Sequence, residues 1–211
     1  MQGQLLPLFP LAVVLLPGNE LPLHIFEDRY KEMIGLSLQQ QSEFGVVLAA
    51  QGGIVPLGCT ATVEQVVKTY EDGRLDILAL GRRRFRIESL DQEKEYLRAT
   101  VEFFDDEAAA AELELRREAL RLCLQLPPED RTLSTADYDL EDPQLSFRLA
   151  ARVTDLPFRQ HLLSLRSEPE RLRKLVRFAP GHGEQHRQAN RLREVAPKNG
   201  HGQLPPGFDP A

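Results

Sequence analysis

Four prolines interrupt an otherwise apolar opening stretch, MQGQLLPLFPLAVVLLPGNELPLHI, and this combination limits what the stretch can form. A membrane-spanning helix needs about 20 consecutive apolar residues, and proline breaks a helix interior. A secretory signal needs basic residues at its start, but the first Lys or Arg here is Arg29. Extended backbone accommodates proline at strand starts and edges. We therefore predict two short strand segments joined by a turn at Pro17-Gly18.

A short amphipathic helix is predicted directly after these strands. Phe26, Tyr30 and Met33 recur at helical spacing and define an apolar face. Glu27 and Asp28 fall in the first turn, where acidic side chains complement the positive end of the helix dipole. The pattern therefore predicts a helix that starts near Phe26, with Phe26 on its apolar face.

Between about residue 43 and residue 104 the hydrophobic period changes to two, which is typical of β-strands. The segment EDGR at 71–74 separates two such stretches, and its Asp-Gly pair can adopt the positive φ angles of a tight hairpin turn. The last stretch, YLRATVEFF, alternates apolar and polar residues as half-buried antiparallel strands do. We therefore predict a mostly antiparallel sheet.

Helical spacing replaces the strand pattern after residue 105. One helix is predicted before Pro127-Pro128, another after the N-cap pattern Asp142-Pro143, and the last after a capping box at Ser167–Glu170. The final apolar stripe ends at Ala179. The remainder is rich in Pro, Gly and His with few large apolar residues, which predicts a flexible tail.

These changes of pattern predict an α+β chain that can build a core without disulfides, because 42% of its 211 residues are hydrophobic. The predicted parts are a β part at residues 1–105, a helical part at 106–179 and the tail at 180–211.

The reactive side chains form no recognisable catalytic motif. No stretch matches the GxxxxGK[ST] phosphate loop or the GxSxG nucleophile motif. Cys59 and Cys123 lie far apart without metal-ligand spacing, which predicts buried, reduced thiols and a cytoplasmic location. His182 and His186 have the spacing to share a helix face, but they follow Pro180-Gly181 in the predicted tail. We therefore expect no metal, no cofactor and no enzymatic activity.

The segment GRRRFRI at 81–87 places arginines beside an aromatic residue, a combination that can contact phosphates and stack bases. Strand geometry puts Arg82, Arg84 and Arg86 on one face and Phe85 on the other, which predicts that Phe85 is core. The formal net charge of −6 also disfavours nucleic-acid binding. We predict that these arginines pair with acidic residues.

Several stretches resemble the LON substrate-binding domain, the N-terminal domain of Lon proteases that is also found in cereblon-type proteins. They are LPLFPLAVVLLPGNELPLHIFEDRY, FGVVL, GCTATVEQV, EDGRLDILALGRRRFRI and YLRATVE, in that family's order over about residues 4–178. The resemblance implies a PUA-like antiparallel β-barrel lobe followed by a C-terminal α-helical bundle lobe. It implies a structural role for the motif residues Pro17, Gly18, His24, Phe26, Glu27, Arg29, Tyr30, Gly81 and Arg84.

Lon proteases continue into an AAA+ ATPase and a serine-lysine protease domain, and cereblon-type proteins add a cysteine-rich zinc-binding domain. This chain ends before an ATPase or protease domain could begin, and two lone cysteines cannot make the zinc site. We therefore carry over no catalytic residue from either family.

The resemblance implies a non-catalytic module that recognises unfolded or exposed protein segments and passes them to a protease or chaperone. We expect a concave seam between the two lobes to receive them, with Leu16, Pro17 and Leu21 as candidate peptide contacts. Two alternatives stay open: a divergent hydrolase with a His, a carboxylate and a Ser or Cys in that seam, and an RNA-binding protein that uses the arginine strand. Nucleic-acid and membrane partners are not expected.

Overall fold

A computed structural model describes the chain over residues 5–126 and 138–195, with side chains up to residue 183. Six strands and one helix come first in these residues, and four helices follow, which confirms the predicted α+β class. The bounds are β1 (Leu6–Leu11), β2 (Glu20–Ile25), α1 (Asp28–Gln40), β3 (Phe44–Ala50), β4 (Gly53–Thr69), β5 (Leu75–Asp91), β6 (Arg98–Phe104), α2 (Leu113–Cys123), α3 (Leu145–Ala150), α4 (Leu156–Ser164) and α5 (Glu168–Val195).

The strands form one sheet in the order β2-β5-β4-β3-β1-β6. Strand β6 pairs with β1 on one side and with β5 on the other, so β5, β4, β3, β1 and β6 close into a barrel. Strands β1 and β3 are parallel, and the other pairs are antiparallel. The predicted mostly antiparallel sheet is confirmed.

Strands β4 and β5 extend beyond this barrel because each has 17 residues. Strand β3 pairs with β4 only up to Ala61, and β6 pairs with β5 only from Arg84 onward. The other halves of β4 and β5 pair with each other, and β2 adds a third strand beside β5. We call this three-stranded extension the ribbon; it consists of residues 20–25, 62–69 and 75–80.

Both turns predicted from the sequence are present. Gly18, between β1 and β2, has a φ of 71°, and Gly73, between β4 and β5, has a φ of 82°. Glycine adopts these left-handed angles without the steric cost that other residues incur. The opening stretch therefore forms two strands around Pro17-Gly18, as predicted.

None of the helices in the described part of the chain is both long enough and apolar enough to cross a membrane.

Phe85 fills the barrel interior, which confirms its predicted core position. A Cβ atom at Gly45 or at Gly58 would lie 2.7 Å from the Phe85 ring, so both positions require glycine. The ring packs in an inner cluster with Leu6, Leu8, Val47 and Ala99.

A larger core joins the outer surface of the sheet to the helices. Because one continuous cluster of buried side chains draws on both parts of the chain, the sheet and the helices stabilise each other. Its members include Met33 and Ile34 of α1, Cys59 and Ile77 of the sheet, and Phe147, Leu149, Leu172 and Leu175 of the later helices.

A buried polar network crosses the same boundary. We call it the arginine network; its members are Arg84, Asp106, Ser146, Glu168 and Arg171. The Asp106 carboxylate accepts hydrogen bonds from both guanidinium groups. Glu168 accepts from Ser146 and, at 2.8 Å, from Arg171. Two positive and two negative charges are thus removed from water together and hydrogen-bonded to each other.

Arg84 is the member that connects the sheet to this network, and only 3% of it is exposed. Its guanidinium also donates to two backbone carbonyls at the end of α4. Burial lowers the pKa of Arg84 below its usual value, and the adjacent Asp106 carboxylate opposes that shift.

The start of α1 differs from the prediction. The helix begins at Asp28 with Glu27 as its N-cap, and Phe26 lies before it with 58% of its surface exposed. Phe26 continues the strand alternation of β2, which directs its ring away from the core. The prediction that Phe26 belongs to the apolar helix face is therefore wrong.

The end of the last helix also differs, because α5 continues through Pro180 to Val195 and not only to Ala179. Phe178 of α5 stacks on Phe158 of α4 with ring centroids 3.8 Å apart, and His182, beyond the proline, stacks on Phe178 at 4.9 Å. Residues 196–211 lie outside the described residues. The division at residues 105 and 179 and the flexible tail stay predictions.

Replacing one arginine of the buried network is expected to cost far more than replacing a surface arginine. Arg171→Met should destabilise the fold by about 3–5 kcal/mol, because it leaves the buried Glu168 carboxylate without its charged partner and removes one of the two arginines that pair with Asp106. Arg82→Met is the matched control, since Arg82 pairs with Glu64 at the surface and such pairs contribute about 0–1 kcal/mol. Urea denaturation followed by circular dichroism measures both losses, and equal losses would contradict this assignment.

Candidate functional site

The turn after β1 does not expose the apolar surface predicted there. Leu16 and Pro17 are buried, and Leu21 is half-buried against the core. The cause is the close approach of Gly81, whose N–H donates to the Asn19 carbonyl at 2.9 Å. A Cβ atom at Gly81 would lie 2.2 Å from the Leu16 carbonyl oxygen. The predicted peptide surface is therefore wrong for Leu16 and Pro17, and Leu21 stays a prediction.

Contacts also fill the boundary between sheet and helices, where a concave seam is predicted. Gln160 Nε2 donates to the Leu57 carbonyl at 2.9 Å, and Asn19 Nδ2 donates to the Phe147 carbonyl at 3.1 Å. The arginine network and the shared core connect the same two parts of the chain. The large apolar side chains that the described part of the chain exposes are Phe26, Leu38, Val66, Val67, Leu90, Phe103 and Leu113.

Several of these apolar side chains lie on or beside the ribbon. A shallow groove of about 340 Å³ is lined there by Pro22, Leu23, His24, Val67, Asp76 and Ile77. Val67 is 60% exposed, and the exposed Phe26 ring stacks beside His24 with centroids 5.9 Å apart. We call the groove together with Phe26 the ribbon face. Its exposed apolar side chains, Phe26 and Val67, are not covered by any of the described residues.

The ribbon face is exposed because the ribbon lies outside the barrel and packs on the core with one side only. Ile25 and Ile77 are buried on the core side. Pro22, His24 and Phe26 alternate with Ile25 and point to the other side. Helical spacing predicts Phe26 on a helix and gives no indication of Val67 or the groove, although the strand alternation that continues through Phe26 indicates its exposure.

A hydrogen-bonded polar group lies in the middle of the ribbon face. His24 Nδ1 and Asp76 Oδ1 are 2.6 Å apart, and the Tyr70 hydroxyl donates to Asp76 Oδ2 at 2.8 Å. The hydrogen bond from His24, followed by that from Tyr70, lowers the pKa of Asp76 below its usual value. Asp76 is therefore a carboxylate at neutral pH, and its hydrogen bond with Nδ1 orients the His24 ring.

Both edges of the ribbon carry features that oppose the addition of another strand. The Gly81 N–H donates to the Asn19 carbonyl, so Asn19 and every second residue after it direct their backbone N–H and C=O groups toward β5. Pro22 lies between two of these residues, and its backbone groups point outward. Proline has no N–H, so the centre of this edge lacks a donor. The β4 edge has two register shifts between residues 63 and 68, as bulged strands do.

The other motif residues make contacts within the domain. Arg29 pairs with Glu27 at 2.7 Å, and its guanidinium lies 4.5 Å from the centre of the Tyr30 ring. The buried Tyr30 ring in turn stacks on Phe9 at 4.1 Å. Gly18 accepts a hydrogen bond from Arg148 of α3. These contacts hold the junction between β2 and α1 and the turn before β2.

Ion pairs engage Arg82, Arg83 and Arg84, which confirms the predicted pairing for these three arginines; among the described side chains no acidic partner of Arg86 is found. Arg82 pairs with Glu64, and Arg83 pairs with Glu43 at 2.8 Å. The alternation predicts that Arg84 shares the exposed face of Arg82, but Arg84 is buried because the helices cover it. Paired guanidinium groups have less free charge for RNA phosphates, so the structure adds no support to an RNA-binding site on this strand.

The features required by the hydrolase and metal hypotheses are not brought together in the described residues. The groove holds a histidine beside a carboxylate, but its lining contains neither Ser nor Cys. No group of three or more His, Cys, Asp or Glu is arranged for a metal within residues whose side chains are described. His182 lies 3.1 Å from the Thr154 hydroxyl, and the side chain of His186 lies outside the described residues.

Comparison with known proteins gives one consistent result. Residues 5–179 match the family described as the ATP-dependent protease La (LON) substrate-binding domain. Lon protease 2 of Myxococcus xanthus is 29% identical over 142 residues, which cover 59% of this chain and 17% of that protein. The Lon protease of Anaeromyxobacter dehalogenans is 29% identical over 125 residues, 56% of this chain and 15% of that protein. The chain thus spans less than a fifth of each of these relatives.

Solved structures agree with that match. A Lon N-terminal domain protein from Xanthomonas campestris superposes with a TM-score of 0.68 at 27% identity, covering 84% of this chain and 99% of that one. The N-terminal domain of a Mycobacterium avium complex Lon protease superposes with a TM-score of 0.66 at 19% identity, covering 85% and 100%, and supports the fold alone.

Both cysteines are expected to resist a thiol reagent in the folded protein. Burial raises the pKa of Cys59 and of Cys123 to about 12, so both thiols stay neutral. Unfolded thiols titrate near pH 8.5, so the stability that neutral burial contributes is complete below about that pH and declines as the pH rises toward 12. Ellman's reagent at about pH 8 should label neither thiol until denaturant is added. Rapid labelling of the native protein would contradict their burial.

Proposed function

The chain belongs to the LON substrate-binding domain family, and we propose that it is a non-catalytic module that recognises exposed apolar segments of other proteins. The observation that carries this proposal is the ribbon face, where Phe26 and Val67 are 58% and 60% exposed beside a groove. Covering such a side chain with a partner contributes about 1–2 kcal/mol. A few such contacts are enough for reversible binding of an unfolded segment.

The ribbon suggests that a bound segment is held by its side chains. Pro22 at the outer edge of β2 and the register shifts in β4 oppose strand addition at both edges. The apolar side chains of the face, by contrast, are open to solvent. The segment therefore lies across the face and inserts apolar side chains beside Phe26 and Val67, without extending the sheet.

We also propose which partners the module binds and where it is located. Its direct partners are unfolded or exposed protein segments, which it passes to a protease or chaperone in the same compartment. The free, buried thiols of Cys59 and Cys123 support a cytoplasmic location, since secreted proteins commonly oxidise their cysteines.

Removing the two exposed apolar side chains of the ribbon face should weaken binding. We expect Phe26→Ser combined with Val67→Ser to raise the Kd for a fluorescein-labelled peptide, GSLFVNLSG, by at least about tenfold, which is about 1.4 kcal/mol. Fluorescence anisotropy measures the Kd. Leu90→Ser is the matched control, because Leu90 is also exposed but lies on β5 away from the ribbon. Unchanged affinity in the double variant, with an unchanged free energy of unfolding, would refute the site.

Methylation of the peptide backbone separates side-chain recognition from strand addition. A peptide of the same sequence with N-methyl groups on two alternate central amides cannot donate the hydrogen bonds of an added strand. We expect its Kd to differ from that of the unmodified peptide by less than about twofold, because the edges of the ribbon are blocked. A loss above about tenfold would show that the edge, and not the face, binds the segment.

A further inference from the structure

The polar group in the ribbon face has a defined proton arrangement. Asp76 is ionised and can only accept hydrogen bonds, so the His24 nitrogen that lies 2.6 Å from it, Nδ1, must carry a proton. The second Asp76 oxygen is occupied by the Tyr70 hydroxyl. The other ring nitrogen of His24, Nε2, therefore accepts a hydrogen bond when the ring is neutral and donates one when the ring is charged.

The ring of His24 is available to a bound segment. Its side chain is 43% exposed, and it lines the groove between Pro22 and Val67. Phe26 stacks on one side of the ring, and Tyr70 meets it edge-on at 5.8 Å. A segment that covers Phe26 and Val67 thus passes directly over His24.

The charges around His24 come from each strand of the ribbon. Asp76 of β5 is its direct partner, and Glu20 lies on the same face of β2. The ammonium of Lys68 in β4 lies 4.3 Å from the centre of the Tyr70 ring, and the guanidinium of Arg74 lies 4.7 Å from it. Because Asp76 accepts from Nδ1 in both charge states of the ring, protonation of Nε2 adds one positive charge to the ribbon face.

We propose that His24 is the specificity contact of the ribbon face, and that it selects apolar segments that carry a carboxylate beside their apolar residues. A charged imidazole donates to a carboxylate in a charge-assisted hydrogen bond, which is about twice as strong as a neutral one. Imidazole rings ordinarily change charge between about pH 5 and pH 8. Lowering the pH favours the charged form of an imidazole and therefore increases the preference for the acidic segment. This inference rests on the proposed function.

Two matched peptides test the proposal. The Asp peptide GSLFVDLSG and the Asn peptide GSLFVNLSG differ in one side chain, and that Asp stays ionised at both about pH 6 and about pH 8. With the full chain, anisotropy should show the Asp peptide bound about three- to tenfold more tightly at the lower pH, and the Asn peptide nearly unchanged. His24→Gln should abolish this difference between the peptides. His161→Gln, an exposed histidine on α4, should preserve it.

Each outcome separates this inference from the proposed function. If both peptides bind with the same pH response, or if His24→Gln keeps the difference, His24 is not the specificity contact and apolar recognition still stands. If the wild-type chain binds neither peptide at either pH, the proposed function itself fails. Circular dichroism checks that His24→Gln folds; should it not, the comparison of the two peptides on the wild-type chain decides the question alone.

Discussion

The sharing of one carboxylate, that of Asp106, between Arg84 and Arg171 is the interaction on which the arrangement of sheet and helices depends. Removing charges from water is costly, and the cost is recovered only when each charge finds partners of suitable geometry. Arg84 comes from the barrel strand β5 and Arg171 from the last helix, so the partners exist together only when both parts are folded and docked. The apolar core across the same boundary supplies stability, and the arginine network restricts the sheet and the helices to one relative orientation.

Local signals in the sequence predicted the elements whose cause is local. The Asp-Gly turn, the alternation of the strands and the Ser167 hydroxyl, which accepts from the Glu170 N–H at 3.4 Å, all act within a few residues. Two of the errors have long-range causes. Leu16 is buried because Gly81 approaches it from another strand, and Arg84 leaves the pattern of its neighbours because helices cover it. No periodicity in the chain encodes either contact.

The ribbon face was only partly predictable for a related reason. His24 and Phe26 stand out as motif residues, but their exposure follows from the extension of β4 and β5 beyond the barrel, which depends on where β3 and β6 stop pairing. In the sequence, Val67 is one apolar residue in an alternating strand, and nothing marks it as exposed. Only the topology shows that this part of the strand has a core on one side and solvent on the other.

Strand β5 runs without interruption from Leu75 to Asp91, so it carries Asp76 of the ribbon face and Arg84 of the arginine network on one backbone. Arg84 lies eight positions after Asp76 along the extended strand, a span of roughly 26 Å. One continuous strand, without a loop, therefore connects the ribbon face to the network that holds the helices. A segment bound as proposed would therefore be held at a fixed distance and orientation relative to the helices.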